Sequence, residues 1–545
     1  MDDPGVRGPC ETLRAVDHPI LLLLLLVATG AFLVVAYLTK LPYPIWLVIG
    51  GAVIGFIPAV PNAALKPDLV LVLLLPPLLW SAAFFSSVRD LRADAGPISF
   101  LAIGLVLATT LGLAVIGHEV VGLSWEVSFV LGAVLSPTDP VAATAIGRRV
   151  GAPPRIVTVV EGESLLNDST ALVAYKFAIA AVLAGGFSLS DAAAEFAVDV
   201  VAGVAVGLAV GWAGLQLLRR LDDAPTEIAL TLLIPYVAYL PCEEFGVSAV
   251  LAAVSAGLFL GWNAPRLFSP PTRIQAYSFW EILVFGINAT LFMLLGLELP
   301  AVFDGIEGMP VMTLVGNAAV VVAGVIAVRF LWVFGTAGLR GAVRRARRLP
   351  RSESQWRQRT LVAWTGMRGA VSLATALAIP VALDDGTPFP NREMVIFLAY
   401  VTILATVLGQ GLTLPWLIRR LGLAGVGVDR EAASEREARL AAVDAALDRL
   451  DELRDQDWVP TDQLGRVEFV YEARRRRLAD QMEPVAGEEP GRRAEAWDGM
   501  ARVRRELQDA QRERILELRN EGVINDEIMR KIERDLDLED VRLGQ

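Results

Sequence analysis

SPTDPVAATAIGRRVGAPPRIVTVVEGESLLNDSTALVAYKF, from Ser136 to Phe177, sets Asp139, Glu163, Asp168 and Lys176 inside two otherwise apolar runs. A charged side chain in the hydrocarbon core of a membrane costs roughly 3 kcal/mol on insertion scales, so such residues generally line a pathway or a site. Asp139 sits between Pro137 and Pro140, which remove backbone donors and break the helix, leaving helix ends and carbonyls able to hold an ion. Asp168 follows Asn167 on the next run. A broken helix crossing a helix with one acidic residue predicts a cation site. The alternative is that Asp139 only caps a half-helix and Asp168 only pairs with Lys176.

Outward from this stretch the chain is 54% hydrophobic over 545 residues, with a mean hydropathy of +0.51. That composition predicts an all-α polytopic membrane protein. Apolar runs starting near His18, Tyr43, Asp68, Pro97, Glu126, Arg155, Asp191, Thr226, Gly246, Gln275, Pro310, Arg357 and Arg392 give about thirteen spans. The first run reads as a true span and not as a cleaved leader, because no small-residue cleavage site follows it. The two cysteines, Cys10 and Cys242, lie too far apart in sequence to suggest a disulfide framework. No basic domain or zinc spacing points to nucleic acid, and no nucleotide-binding loop points to ATP.

Arginine marks one side of the membrane. Loops with Arg89 and Arg92, with Arg148, Arg149 and Arg155, with Arg219 and Arg220, with Arg266 and Arg273, and the run Arg340–Arg351 all fall on it. The alternate loops carry Glu119, Glu243, Glu244, Asp304, Glu307, Asp384 and Asp385, with Lys66 and Arg392 as minor exceptions. The expectation is an outside amino terminus and a cytoplasmic carboxyl terminus. Three parts follow: an amino-terminal tail over 1–18, a transmembrane domain over 19–421 and a cytoplasmic helical tail over 422–545. The tail alternates apolar and charged residues at helical spacing, with a break near Gly487–Glu495 and a turn near Gly522. It is either a solvated appendage or a regulatory or dimerising element.

A second interruption is expected in WTGMRGAVSLATALAIP, from Trp364 to Pro380. Two broken helices in corresponding places suggest inverted repeats relating spans four to six to spans eleven to thirteen, with substrate held where the breaks meet. Close helix packing is the other reading of Gly366 and Gly369. Arg329, deep in the eleventh span, needs a partner, and Glu163 is the obvious candidate. Glu163 and Asp168 are about 140° apart on a helix, so one can pair while the other faces an ion. Ser164, one turn before Asp168, offers a hydroxyl to the same site.

The chain resembles the monovalent cation:proton antiporters of the NhaP/NHE sodium/proton exchanger type. The marks, in family order, are LLLPPLLW around Pro76 and Pro77, SPTDPVA at Ser136, EGESLLND at Glu161, FWEILVF and LLGLELP between Phe279 and Pro300, and GMRGAVSL at Gly366. The resemblance implies that Asp168, beside Asn167, carries the transported ion, that Glu163 pairs with Arg329, and that Thr138 and Asp139 supply oxygens. It places the family arginine at Arg368. It further implies a homodimer in the plasma membrane, in contact with lipid, that exchanges Na⁺, or K⁺ or Li⁺, for H⁺ without a cofactor and without enzymatic chemistry. A K⁺/H⁺ antiporter and a membrane Na⁺ or pH sensor signalling through the tail are the rival readings. One departure stands out: many relatives carry a carboxylate where this chain has Ser81.

Overall fold

Proline and glycine decide where the helices of this chain stop, and apolar surface decides which faces meet. The computed structural model describes residues 18–480, apart from 40–41, 58–66, 185–188, 305, 307–309, 347–354, 384–385, 455 and 457–460, together with scattered positions between 511 and 532. Among the described residues the regular structure is helical, and an isolated bridge joins Ala382 to Pro388. Seven of the described helices are long and apolar enough to cross a membrane by length and composition, with further apolar helices of 10–17 residues between them. This is a helical membrane protein.

The two expected interruptions are present. Trp125–Leu135 stops at Ser136, and the chain resumes as Val141–Val150 once the two prolines are passed. Pro140 sits just before the first turn of the second half, where its missing N–H costs nothing. The second interruption separates Gln355–Trp364 from Ala370–Leu377, with Gly366 and Gly369 in the gap.

The two largest apolar clusters among the described residues join most of the long helices. One joins Trp80, Tyr239, Val254, Leu260 and Trp280 across the helices Pro67–Phe84, Ala224–Glu244, Ala249–Leu267 and Pro270–Leu297. Trp80 and Trp280 meet at 4.6 Å between ring centroids, and the Trp280 indole donates to Thr231 Oγ1 at 3.0 Å, so the buried ring leaves no orphan N–H. The other cluster gathers Leu131, Val134 and Leu135 from the first broken helix with Val395, Leu398 and Ile403 from Arg392–Arg420. A broken helix packed on a continuous one is thereby held at its gap.

The chain divides into a compact unit ending at Asp429 and a second beginning at Arg430. The expected boundary at 421/422 falls just before this division, in a turn where Gly422 and Gly425 take positive φ. Within the second unit, Arg475 of the helix Thr461–Asp480 pairs with Asp444 of the helix that ends at Leu453, at 2.7 Å, and Arg454, just past that end, pairs with Glu468 at 2.6 Å. The break expected near Gly487–Glu495 and the turn near Gly522 lie outside the described residues.

Candidate cation site

The two breaks touch. Asp139 N donates to Met367 O at 2.8 Å, joining the gap of the first broken helix to the gap of the second. The Asp139 side chain turns back on its own chain, where Oδ1 accepts from Val141 N at 2.8 Å and caps the Val141–Val150 half-helix. A Cβ at Gly369 would fall on the Asp139 carboxyl, and one at Gly366 on the Arg329 side chain. Both glycines are therefore small because charged groups pass over them. Gly369→Ala is expected to push the breaks apart and remove most transport activity, read as ion flux after confirming insertion. Flux equal to the parent's would show that the crossing tolerates an extra carbon.

Arg368 lies in the second gap and is 1% exposed. Its Nε donates to Leu135 O at 2.9 Å, Nη1 donates to Gly366 O, and its backbone N donates to Thr406 Oγ1 at 3.1 Å. Leu135 ends the first half of one broken helix and Gly366 lies two residues past Trp364, the last of the other, so both carbonyls sit at or just beyond a helix end where acceptors are left unpaired. One guanidinium thus holds two helix ends at the crossing.

Glu163 and Arg329, each 1% exposed, form a bidentate pair: Nη1 to Oε1 at 2.5 Å and Nη2 to Oε2 at 2.8 Å. Val362 O takes two further bonds from the same guanidinium, at 3.1 Å from Nε and 3.0 Å from Nη2. Thr138 Oγ1 donates to Glu163 Oε1 at 3.2 Å and accepts from Asn167 Nδ2 at 2.7 Å. A chain Asn167–Thr138–Glu163–Arg329 results, and it leaves Thr138 with one side-chain lone pair and its carbonyl.

Asp168 stands outside that chain. It is 7% exposed, and among the described residues no hydrogen bond or ion pair reaches its carboxyl. Asp139 lies close enough to act on it electrostatically. Ser164, 6% exposed, precedes it by one turn on the same helix. Lys176 is not its partner: the ammonium is exposed and donates to Gly246 O at 3.4 Å. Eight residues, about 12 Å of helix rise, separate Lys176 from Asp168. Ser81 is buried and donates to Leu78 O at 2.9 Å, within its own helix.

The backbone acceptors at Met367, Leu135 and Val362 have no side-chain signature and could not be read from the sequence. Arg148–Glu161 and Arg155–Asp94 were also missed, although Glu161, seven residues before Asp168, gave a helical-face signal. Together the described side chains bring three carboxyls, Asp139, Glu163 and Asp168, and two guanidiniums, Arg329 and Arg368, to the crossing.

Comparison with known proteins bears on the family of the chain. The family described as sodium/hydrogen exchanger, transmembrane, matches residues 21–420. An uncharacterised Na⁺/H⁺ exchanger of Mycobacterium tuberculosis is 36% identical over 92% of this chain and 91% of its own length. The Na⁺/H⁺ antiporter ApNhaP of Aphanothece halophytica is 32% identical over 76% of both chains. A sodium, potassium, lithium and rubidium/H⁺ antiporter of Bacillus pumilus is 34% identical over 73% of this chain and 60% of its own. Among solved structures, the sodium proton antiporter MjNhaP1 of Methanocaldococcus jannaschii at pH 8 shares the fold, with a TM-score of 0.60 and 21% identity over 74% of this chain and 98% of that one. With its crossed broken helices and a family match over nearly all of its apolar part, the chain belongs to the sodium/hydrogen exchangers of the NhaP/NHE type, a family of cation/proton antiporters.

Proposed function

We propose that the chain exchanges Na⁺ for H⁺ across the plasma membrane, one for one, with Asp168 as the carboxyl that holds either ion. The observation that carries this reading is the buried Asp168 carboxyl, free of any internal partner among the described residues while Glu163 is committed to Arg329. Na⁺ is a hard cation and takes oxygen ligands; Asp168, Ser164, Thr138 and Asp139 supply them. Asn167 cannot ionise, and Arg368 and Arg329 hold the surrounding framework. The reading includes about thirteen crossings with inverted repeats, an outside amino terminus, a cytoplasmic helical tail and a homodimer, all supported by the arginine distribution or by the family. The Bacillus pumilus relative, with its four named cations, favours a second reading in which K⁺ and Li⁺ also serve.

With a single carboxyl alternating between proton and cation, the loaded carrier has the same charge in both directions. The membrane potential, worth about 2.3 kcal/mol per charge per 100 mV, then does no net work on the cycle. In proteoliposomes the Na⁺ and H⁺ gradients at which flux reverses are expected to stay fixed when a K⁺ diffusion potential is imposed with valinomycin. A reversal point that moves with voltage would give two protons per cation and make Asp139 the second carrier. Absence of Na⁺-driven proton movement altogether would remove the antiport reading.

A further inference from the structure

Beyond Asp139 and Asp168, the half-helix that follows Asp139 and the helix that carries Asp168 converge on a second charged contact that the exchange reading does not use. Glu161 lies seven residues before Asp168 on the Pro154–Ala184 helix. That spacing puts both carboxyls on one face, about 20° apart in direction and about 10 Å apart along the axis. Arg148 lies in the last turn of Val141–Val150, the half-helix that Asp139 caps. Its Nη2 donates to Glu161 Oε1 at 2.7 Å, with side-chain exposures of 69% and 32%. The contrast with the 1% exposed Glu163–Arg329 pair is one of kind. A pair this open to water holds weakly and opens readily, whereas a buried one does not.

Nor is the pair needed to fasten the two helices. Their turn is closed by Ala152 N donating to Gly147 O at 2.9 Å. Behind the turn, Ala142, Ile146, Ile156 and Val160 pack in one apolar cluster with Leu361 and Leu414. Arg155, less than two turns before Glu161 on its own helix, is held by both Asp94 oxygens at 2.5–3.0 Å and is not available to Glu161. Arg148 is thus the cation matched to the carboxylate two turns below the site, at the arginine-rich end that the proposed orientation makes cytoplasmic.

We propose that Glu161 is the outer docking carboxylate for the transported cation and that Arg148 is its resident competitor. An arriving monovalent cation displaces the guanidinium from Glu161 and then moves along the shared helix face to Asp168. When the cation leaves, Arg148 returns and shields the approach. This rests on the reading of Asp168 as the exchange site. Its consequence is that the two members of one ion pair act on cation uptake with opposite sign, which a fastening role cannot produce.

The test measures the Na⁺ concentration for half-maximal exchange, with Na⁺ added at the arginine-rich face of oriented proteoliposomes. Glu161→Gln is expected to raise that concentration about three- to tenfold, the effect of removing one charge about 10 Å from the site at an effective dielectric of about 30. Arg148→Gln is expected to lower it by a similar factor, and Arg148→Lys, which keeps a competing cation, to leave it near the parent value. The maximal rate changes by less than about twofold in each, and the double variant follows Glu161→Gln, because no carboxylate is left to guard. Shifts of the two single variants in the same direction, or no shift in either, overturn the proposal while leaving Asp168 in place. A parent protein without exchange overturns the Asp168 reading and this proposal with it.

Discussion

Asp168→Asn is expected to abolish Na⁺-driven proton movement, by at least about 100-fold, in a protein that inserts and elutes as the parent does. The carboxyl is 7% exposed, and among the described residues no donor reaches it. An isosteric amide therefore breaks no internal bond, and the change in stability should stay within about 1 kcal/mol. What disappears is the alternation itself. A buried carboxylate without an internal partner needs a counter-charge, and in the proposed cycle a proton or a cation supplies it in turn. Asparagine is neutral without either and cannot couple one gradient to the other. The measurement is fluorescence of a pH dye in proteoliposomes after Na⁺ is added, beside a thermal unfolding scan. Persistent proton flux in this variant would transfer the exchanging role to Asp139, the other acid at the crossing.

Much of this site was legible in the sequence because its charges stand where charges are costly. Pro137 and Pro140 announce the first break by their chemistry alone. The second break has no proline in its gap, and Gly366 and Gly369 left two readings open there. The structure combines them: the glycines allow close approach, and what approaches is the side chain of Arg329 and of Asp139. Arg329 demanded a partner on electrostatic grounds, and Glu163 stands against it. By contrast, the carbonyls that receive Arg368 and Arg329 were invisible, since every residue has one and only the fold decides which are left unpaired. Snorkelling is the reading the sequence slightly favours for Lys176, and its exposed ammonium fits that reading. The residue sits inside an apolar run, yet its long stem carries the ammonium to an exposed position at Gly246 O.

Loss of either partner of the Glu163–Arg329 pair is expected to cost about 3–5 kcal/mol, because the survivor is left charged and dry. The two residues should not be equivalent. Glu163→Ala strips the guanidinium of both carboxylate oxygens but leaves it two bonds to Val362 O, at 3.1 and 3.0 Å. Among the described residues, Arg329→Ala leaves Glu163 the Thr138 hydroxyl alone, 3.2 Å away. That donor is itself tied to Asn167 at 2.7 Å, next to Asp168. The arginine variant should therefore be the less stable of the two and should also disturb the site. A charge swap restores attraction but aims a carboxylate at the Val362 carbonyl, so it should recover only part of the loss. Replacing both by uncharged residues, Glu163→Gln with Arg329→Met, removes the buried charge entirely and should be milder than Arg329→Ala. The ordering is read from the temperature at which each detergent-solubilised variant loses its elution peak. Single variants as thermostable and as active as the parent would mean that the pair does not hold the crossing together, and that Asn167 and Thr138 are positioned by the packing of the two broken helices instead.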